Sequence, residues 1–304
     1  MAEKKKEILD IEQLNLRRQD YSKLLLIIGI VGLVICMVIA FVEIAEVVNT
    51  GLEWIYWIML GLMILSGPYG FYMSWQYKKT QEIENRLPDF LRDVAEAGRF
   101  GMTLAQAIRV SSRGRYGRLT PEIQRMAAQI DWGVPASEAL RLFAERVNTP
   151  LVKRMVSIII KANDAGGSVA DVLTMVAHDA RETIINFNER RISMATYTVV
   201  IYVAFGVFLA TIFILNTTFL PNMEEAGQQV NEQAIEAGVT NLPATIQSEI
   251  IPTVQLIFIV SVAIHAFGDG ILAGVLQDGK VANGLRHSFI MLLIGFLGTI
   301  LITG

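Results

Sequence analysis

Apolar and polar residues are segregated along this chain into long blocks. Two hydrophobic runs, Leu24 to Val42 and Trp54 to about Met73, come first; a polar block from Gln76 to Arg191 follows, and beyond it the chain is apolar again. A helix needs about 20 mostly apolar residues to cross a bilayer, and both leading runs reach that length. Past the polar block, Met194 to Leu220 predicts a third span, Pro252 to about Leu276 a fourth, and Phe289 to Ile302 a short fifth. Residues 221–250, with Glu224, Glu225, Glu232, Glu236 and Glu249, read as a polar loop, and Gln277–Ser288 as a short one. Trp54, Tyr56, Trp57, Tyr72, Trp75 and Tyr77 gather near the ends of the second run, where amphipathic rings settle at the membrane–water interface. Residues 1–23 are charged with an apolar period (Ile8, Leu9, Ile11, Leu14, Leu16) that predicts a short surface helix.

Within the polar block every signal is helical and no strand alternation occurs. A helix from about Thr80 to Ala97 passes through Pro88, which marks a kink or a boundary. Gly98 and Gly101 end it, and Thr103 caps a second helix through Ile108. Thr120-Pro121-Glu122 predicts an N-cap, a proline in the first helical position and an acid in the first turn of a third helix, which stops near Trp132-Gly133. Pro135 opens a fourth, with Ala139, Leu140, Phe143 and Val147 on one face. Thr149-Pro150 opens a fifth, ending at Gly166-Gly167. Ser168 and Asp171 have capping-box spacing, and from them one long helix runs into the third span. The segments 97–108 and 165–173 resemble one another: helix end, glycines, cap, then small and aliphatic residues. Two related helical hairpins, or coincidence over a short match, account for this.

The prediction is therefore an all-α polytopic membrane protein with about five transmembrane helices and one soluble helical bundle. Residues 1–75 form an N-terminal segment with two spans, 76–192 the bundle, and 193–304 three spans with the loop 221–250. Composition agrees: 53% of residues are hydrophobic and the mean hydropathy is +0.45, too apolar for a soluble chain of 304 residues. The leading run, about 19 residues long and followed by no A-x-A cleavage site, exceeds the 7–15 of a signal-peptide core and reads as an uncleaved span.

Charge orients the spans. The polar block carries 18 of the 26 Lys and Arg residues, and none lies between Arg191 and Lys280. Basic residues flanking spans stay on the cytoplasmic side. Five spans then place the N-terminus, residues 76–192 and the loop 277–288 on the cytoplasmic side of a cell membrane, and 43–53 and 221–250 on the outer side.

Candidate chemistry is sparse. The single cysteine, Cys36, lies in an apolar run, and His178, His265 and His287 are far apart, so neither a disulfide nor a metal site is expected. The glycines at 98–101 and 166–167 lack any G-x-x-x-x-G-K-[ST] context and read as helix ends. No nucleophile–base arrangement is present, so neither catalysis nor a cofactor is expected. Two charge features stand out. Arg109, Arg113, Arg115, Arg118 and Arg125 crowd around a loop containing Gly114 and Gly117. They form either a solvated face favouring anionic lipid or a docking surface for an acidic cytoplasmic partner; a near-neutral, membrane-tethered block does not suit nucleic acid. In the fourth span His265 and Asp269 share a helix face. Ionisable groups at membrane depth are costly, so the pair is either a relay or ion path, or a polar contact near the span's inner end, where Gly268, Gly270 and Gly274 permit close helix approach.

Leu87-Pro88-Asp89-Phe90-Leu91, followed by Ala97-Gly98 and Gly101-Met102-Thr103-Leu104, resembles the type II secretion F domain. Tyr116 to Ile123, Gln129-Ile130-Asp131-Trp132-Gly133, Arg146-Val147 with Pro150 to Arg154, and Asp278-Gly279-Lys280 with Gly284-Leu285-Arg286-His287 are similar to its archaeal branch. That branch comprises platform proteins of archaella and archaeal type IV pili. The resemblance implies a non-enzymatic membrane platform with no cofactor. It would bind a hexameric secretion ATPase, with the Arg109–Arg125 cluster a candidate docking face, and couple ATPase motion to insertion or rotation of pilin or archaellin subunits. Many such proteins carry two F domains; this chain shows one, which implies a homo- or heterodimer with another F-domain protein. The competing expectation is a transporter or channel using the His265 and Asp269 face.

Overall fold

A computed structural model describes residues 21–45, 53–236 and 250–303. Among these residues the chain is all-helical, with no strand, and five helices are long and apolar enough to cross a membrane. Residues 1–20, which hold most of the predicted surface helix, and residues 237–249 of the predicted loop lie outside the described residues.

Helices α1 (Tyr21–Ile44) and α2 (Trp54–Glu84) are the first two spans. The soluble helices follow: α3 (Leu87–Arg99), α4 (Leu104–Ser111), α5 (Thr120–Asp131), α6 (Ala136–Val147) and α7 (Pro150–Asp164). Then α8 (Val169–Ile214) passes through a π-helical turn, Leu215–Phe219, into α9 (Leu220–Glu236). Finally α10 (Ile250–Asp278) and α11 (Val281–Thr303) form a hairpin.

Sequence-local chemistry explains most boundaries. Pro88 sits in the first turn of α3, where its missing N–H costs nothing, so the helix predicted through it is two helices broken at Asn85–Arg86. Thr103 and Gln106 form a capping box at α4: the Gln106 N–H donates to Thr103 Oγ1, and the Thr103 N–H donates back to Gln106 Oε1. Thr149 Oγ1 accepts from the Val152 N–H at α7. Thr120 does not cap α5 as expected. It is the first residue of that helix, and its Oγ1 accepts instead from the Tyr116 N–H at 2.8 Å.

Two other expectations change. Residues 220–236 are helical rather than loop, because Glu, Gln and Ala favour helix whatever their polarity. The π turn just before Pro221 fits the proline ring, which cannot donate and would crowd the carbonyl four residues back. The final span begins at Val281 rather than Phe289, and the loop 277–288 shrinks to Gly279-Lys280. Asn283, Arg286, His287 and Ser288 looked like loop because they are polar; here they are turned onto protein partners within a helix.

The chain divides into two compact units. One, Trp75–Arg190, packs α3 to α7 and the start of α8 around a core that includes Leu87, Phe90, Ile108, Met126, Phe143 and Met155, all 0–1% exposed. Truncating a ring such as Phe143 in such a core costs about 3–5 kcal/mol. The other takes in the described residues up to Ser74 and from Arg191 onward, around Met59, Val262, Ala266, Met291 and Leu292.

Candidate functional site

In the soluble unit the segment between α4 and α5 is pinned by one side chain. Tyr116 is 3% exposed, and its hydroxyl lies 2.5 Å from Asp93 Oδ2 and 3.0 Å from the Ser111 carbonyl. Its ring meets Phe90 edge-on with centroids 5.5 Å apart. Gly114 crosses the same ring so closely that a β-carbon there would lie 2.5 Å from the Tyr116 hydroxyl oxygen. Burial, then the hydrogen bond and charge of Asp93, then the charge of Asp89, push the Tyr116 phenol above its ordinary value. The loop is thus a rigid mount.

On that mount the five arginines separate into two kinds. Arg109 is paired with Asp131 at 2.6 Å, Arg118 with Glu82, and Arg125 with Glu122 at 3.1 Å. Glu122 is shared: its other oxygen meets Arg146 at 3.0 Å, an ion pair tying α5 to α6. Arg113 and Arg115 are exposed, and no acidic side chain among the described residues lies within 4.0 Å of either. The structure therefore does not use the cluster as one patch; it leaves two arginines, two residues apart, with uncommitted charge.

Beside the Arg109–Asp131 pair, the next residues in sequence are both apolar and exposed: Val110 and Trp132, the latter 90% exposed. An indole offered to water on a helix end is unusual for a residue whose apolar body favours burial. In the sequence Trp132 marks a helix end and belongs to one of the stretches that carry the family resemblance, but nothing in a Trp-Gly pair tells which way the ring points. Phe100, at the end of α3, is likewise 83% exposed.

The two similar segments, 97–108 and 165–173, face one another. A β-carbon on Gly98 would lie 3.2 Å from that of Ala170, and Arg99 donates to Thr174 Oγ1 at 3.2 Å. Between them is a cleft of about 410 Å³, with Gly98, Thr103, Ala107, Gly166, Ser168 and Leu173 among its walls. Ser168 donates its hydroxyl to the Asp171 carboxylate at 2.6 Å.

In the membrane unit His265 and Asp269 lie 3.4 Å apart, their side chains 53% and 32% exposed, and the imidazole stacks on Phe208 at 4.5 Å. The turn between α10 and α11 is more tightly knit. Asp278, its side chain 3% exposed, meets Arg191 at 3.2 Å and accepts from Asn283 at 2.9 Å. Gly279 makes the turn with φ +68°, a conformation that favours glycine. Among the described residues no group of three or more His, Cys, Asp or Glu could hold a metal ion.

Five helices long and apolar enough to cross a membrane, together with a separate compact helical bundle that has an exposed cationic and aromatic edge, define a multi-pass membrane protein. Residues 90–216 match the family described as type II secretion system (T2SS), protein F. It is also 26% identical over 240 residues to an uncharacterised protein of Methanocaldococcus jannaschii. That alignment covers 79% of this chain and 37% of the relative, so the chain spans well under half the relative's length. No solved structure matches it.

Proposed function

We propose that this chain is a non-enzymatic platform protein of a pilus-like or archaellum-like assembly machine. It would sit in the cell membrane with the N-terminus and residues 76–192 on the cytoplasmic side, as the distribution of Lys and Arg favours. Its soluble unit would receive a hexameric secretion ATPase, and its spans would guide pilin or archaellin subunits. A second F-domain protein, identical or different, would complete the assembly.

The observation that carries this reading is the F-domain match over residues 90–216, which begins in the soluble bundle and runs the length of α8. Arg113, Arg115 and Trp132 supply an exposed edge suited to an acidic, apolar-bearing partner; arginine and tryptophan are over-represented where protein interfaces concentrate binding energy.

The test is pull-down of the cognate ATPase by full-length protein in detergent. Arg113→Glu with Arg115→Glu should cut recovery at least tenfold and abolish filament assembly. Unchanged recovery and unchanged filaments would remove the docking face from the proposal.

A transporter reading rests on the His265–Asp269 pair alone. Replacing Asp269 by Asn and His265 by Ala separates the two: lost ion flux in proteoliposomes favours transport, whereas intact filament assembly without measurable flux in the unaltered protein favours the platform.

A further inference from the structure

Among the clefts, charge clusters and exposed faces of this chain, one site in the membrane unit combines a cavity with a cation that has no carboxylate within 4.0 Å among the described residues, near the start of its helix. An open cleft of about 500 Å³ lies between α8 and α11. Val199, Val203 and Ile290 form its apolar wall, and Tyr202, Arg286 and His287 its polar end. Val199 and Val203 are among the exposed hydrophobic residues, so this wall opens onto the outer surface of the bundle.

Arg286 has only neutral partners. Its Nη1 donates to Ser74 Oγ at 2.8 Å and its Nη2 lies 3.2 Å from His287 Nε2, and no carboxylate among the described residues comes within 4.0 Å. At the same end of the same unit Arg191 does have one, Asp278. A guanidinium carries five N–H donors, and a part-buried cation without a counter-charge is expensive in a low-dielectric surrounding. What completes it must be anionic.

The hydrogen bonds around His287 supply a second donor. Arginine can only donate, so Nε2 of His287 accepts. Nδ1 then carries the proton and donates to the Tyr202 hydroxyl oxygen, 2.9 Å away. Having accepted from His287, the Tyr202 hydroxyl keeps its own hydrogen free for the cleft.

Depth chooses the ligand. Arg286 is five residues beyond Val281, the first residue of α11; at 1.5 Å per residue that is about 7.5 Å along the helix. The headgroup layer of one leaflet is about 5–8 Å thick. With Val281 at the aqueous edge of that layer, a phosphate bound here would stand at its inner edge, with an apolar wall running from it along the helix. A free inorganic anion has no use for that wall; an acyl chain does. Basic pockets between membrane helices are a recognised kind of anionic headgroup site.

We propose that this cleft binds one anionic phospholipid, its phosphate on Arg286 and Tyr202 and an acyl chain along Val199, Val203 and Ile290. The proposal is independent of what docks on the soluble unit. It is tested with the full-length chain in nanodiscs, by native mass spectrometry and thermal unfolding, comparing dioleoylphosphatidylglycerol with dioleoylphosphatidylcholine. Phosphatidylglycerol should be retained preferentially and raise the unfolding temperature. Arg286→Gln should weaken retention about fivefold, the effect of one basic group near an anionic headgroup. Tyr202→Phe should weaken it in the same direction, and Lys161→Gln, an equal charge loss on the soluble unit, should not. Val203→Trp fills the apolar wall at an exposed position, and it carries the test if Arg286→Gln fails to fold. Equal retention of the two lipids overturns the site, as does unaltered phosphatidylglycerol binding by Val203→Trp. Stabilisation by millimolar inorganic phosphate in phosphatidylcholine discs, matching that by phosphatidylglycerol, reassigns it to a free anion and also overturns the lipid proposal.

Discussion

Gly274 of α10 and Gly284 of α11 are in backbone contact: a β-carbon added to Gly274 would lie 2.1 Å from the Gly284 Cα. One turn away, a β-carbon on Gly270 would lie 2.2 Å from the Ser288 Cα. Small residues four apart on each strand of the hairpin therefore interlock, Gly270 and Gly274 against Ser288 and Gly284. Close packing of this sort is a principal source of association between helices in lipid, where the hydrophobic effect gives none.

Gly274→Ala should accordingly force the hairpin apart and destabilise the full-length protein by about 1–3 kcal/mol, as overpacking does. Gly268→Ala, where nothing lies within 4 Å of the new carbon, should leave the unfolding temperature in detergent unchanged. Equal unfolding temperatures for the two variants would contradict the close approach.

Tyr116 makes alkaline stability diagnostic. Its phenol titrates above the ordinary value near 10 in the folded protein. The folded state thus binds this proton more tightly than the unfolded state does. The stabilisation is complete below pH about 10 and is lost as pH rises through the folded value. Tyr116→Phe should lower stability by about 1.5–3 kcal/mol at neutral pH, the worth of a hydrogen bond to a charged group. The gap between the two proteins should narrow above pH about 10, as followed by thermal unfolding across a pH series.

The arginines of the loop should not be interchangeable. Arg113→Gln and Arg115→Gln remove uncommitted charge and should weaken ATPase recovery. Arg118→Gln breaks the pair with Glu82 and should act mainly on stability, by less than about 1 kcal/mol because the pair is exposed. Calorimetric affinity beside unfolding temperature separates the two effects.

Trp132→Ala should leave the fold unperturbed, the ring being 90% exposed, while costing at least about 2 kcal/mol of partner affinity if it anchors the interface. A loss of affinity below about twofold would take Trp132 out of that surface.

Asp278→Ala should be the most damaging single change at the turn between α10 and α11. It removes the carboxylate that faces Arg191 and the acceptor of the Asn283 amide, and removing one partner of a buried ion pair costs about 3–5 kcal/mol. Arg191 is 29% exposed on its side chain, so the lower end of that range applies. Adding Arg191→Gln should recover part of the loss in a double-mutant cycle.

Hydropathy and caps made much of this fold legible. Leu87 and Phe90 flank Pro88 at a helix start, Thr103 stands three before Gln106, and the five apolar runs carry few charges. Each of these signals is local. What could not be read depends on partners far away in the chain. Tyr116 earns its place through Asp93, Arg118 is neutralised by Glu82, and Arg286 reaches Ser74, 212 residues distant. The last span reads short for the same reason: Asn283, Arg286, His287 and Ser288 are polar, and only the fold shows that they bond to other helices. Of the candidate cluster, sequence gave the arginines but not their division into paired and unpaired, and Trp132 was hidden by its position at a helix end.

Only Gly279 and Lys280 separate α10 from α11. A connection that short obliges the two helices to enter the bilayer together, and the glycine seam then leaves no width for anything between them. Lipid and partner helices alike are confined to the hairpin's outer faces. Anything that packs beside this pair must therefore meet it as one closed unit, at a surface the hairpin itself has made.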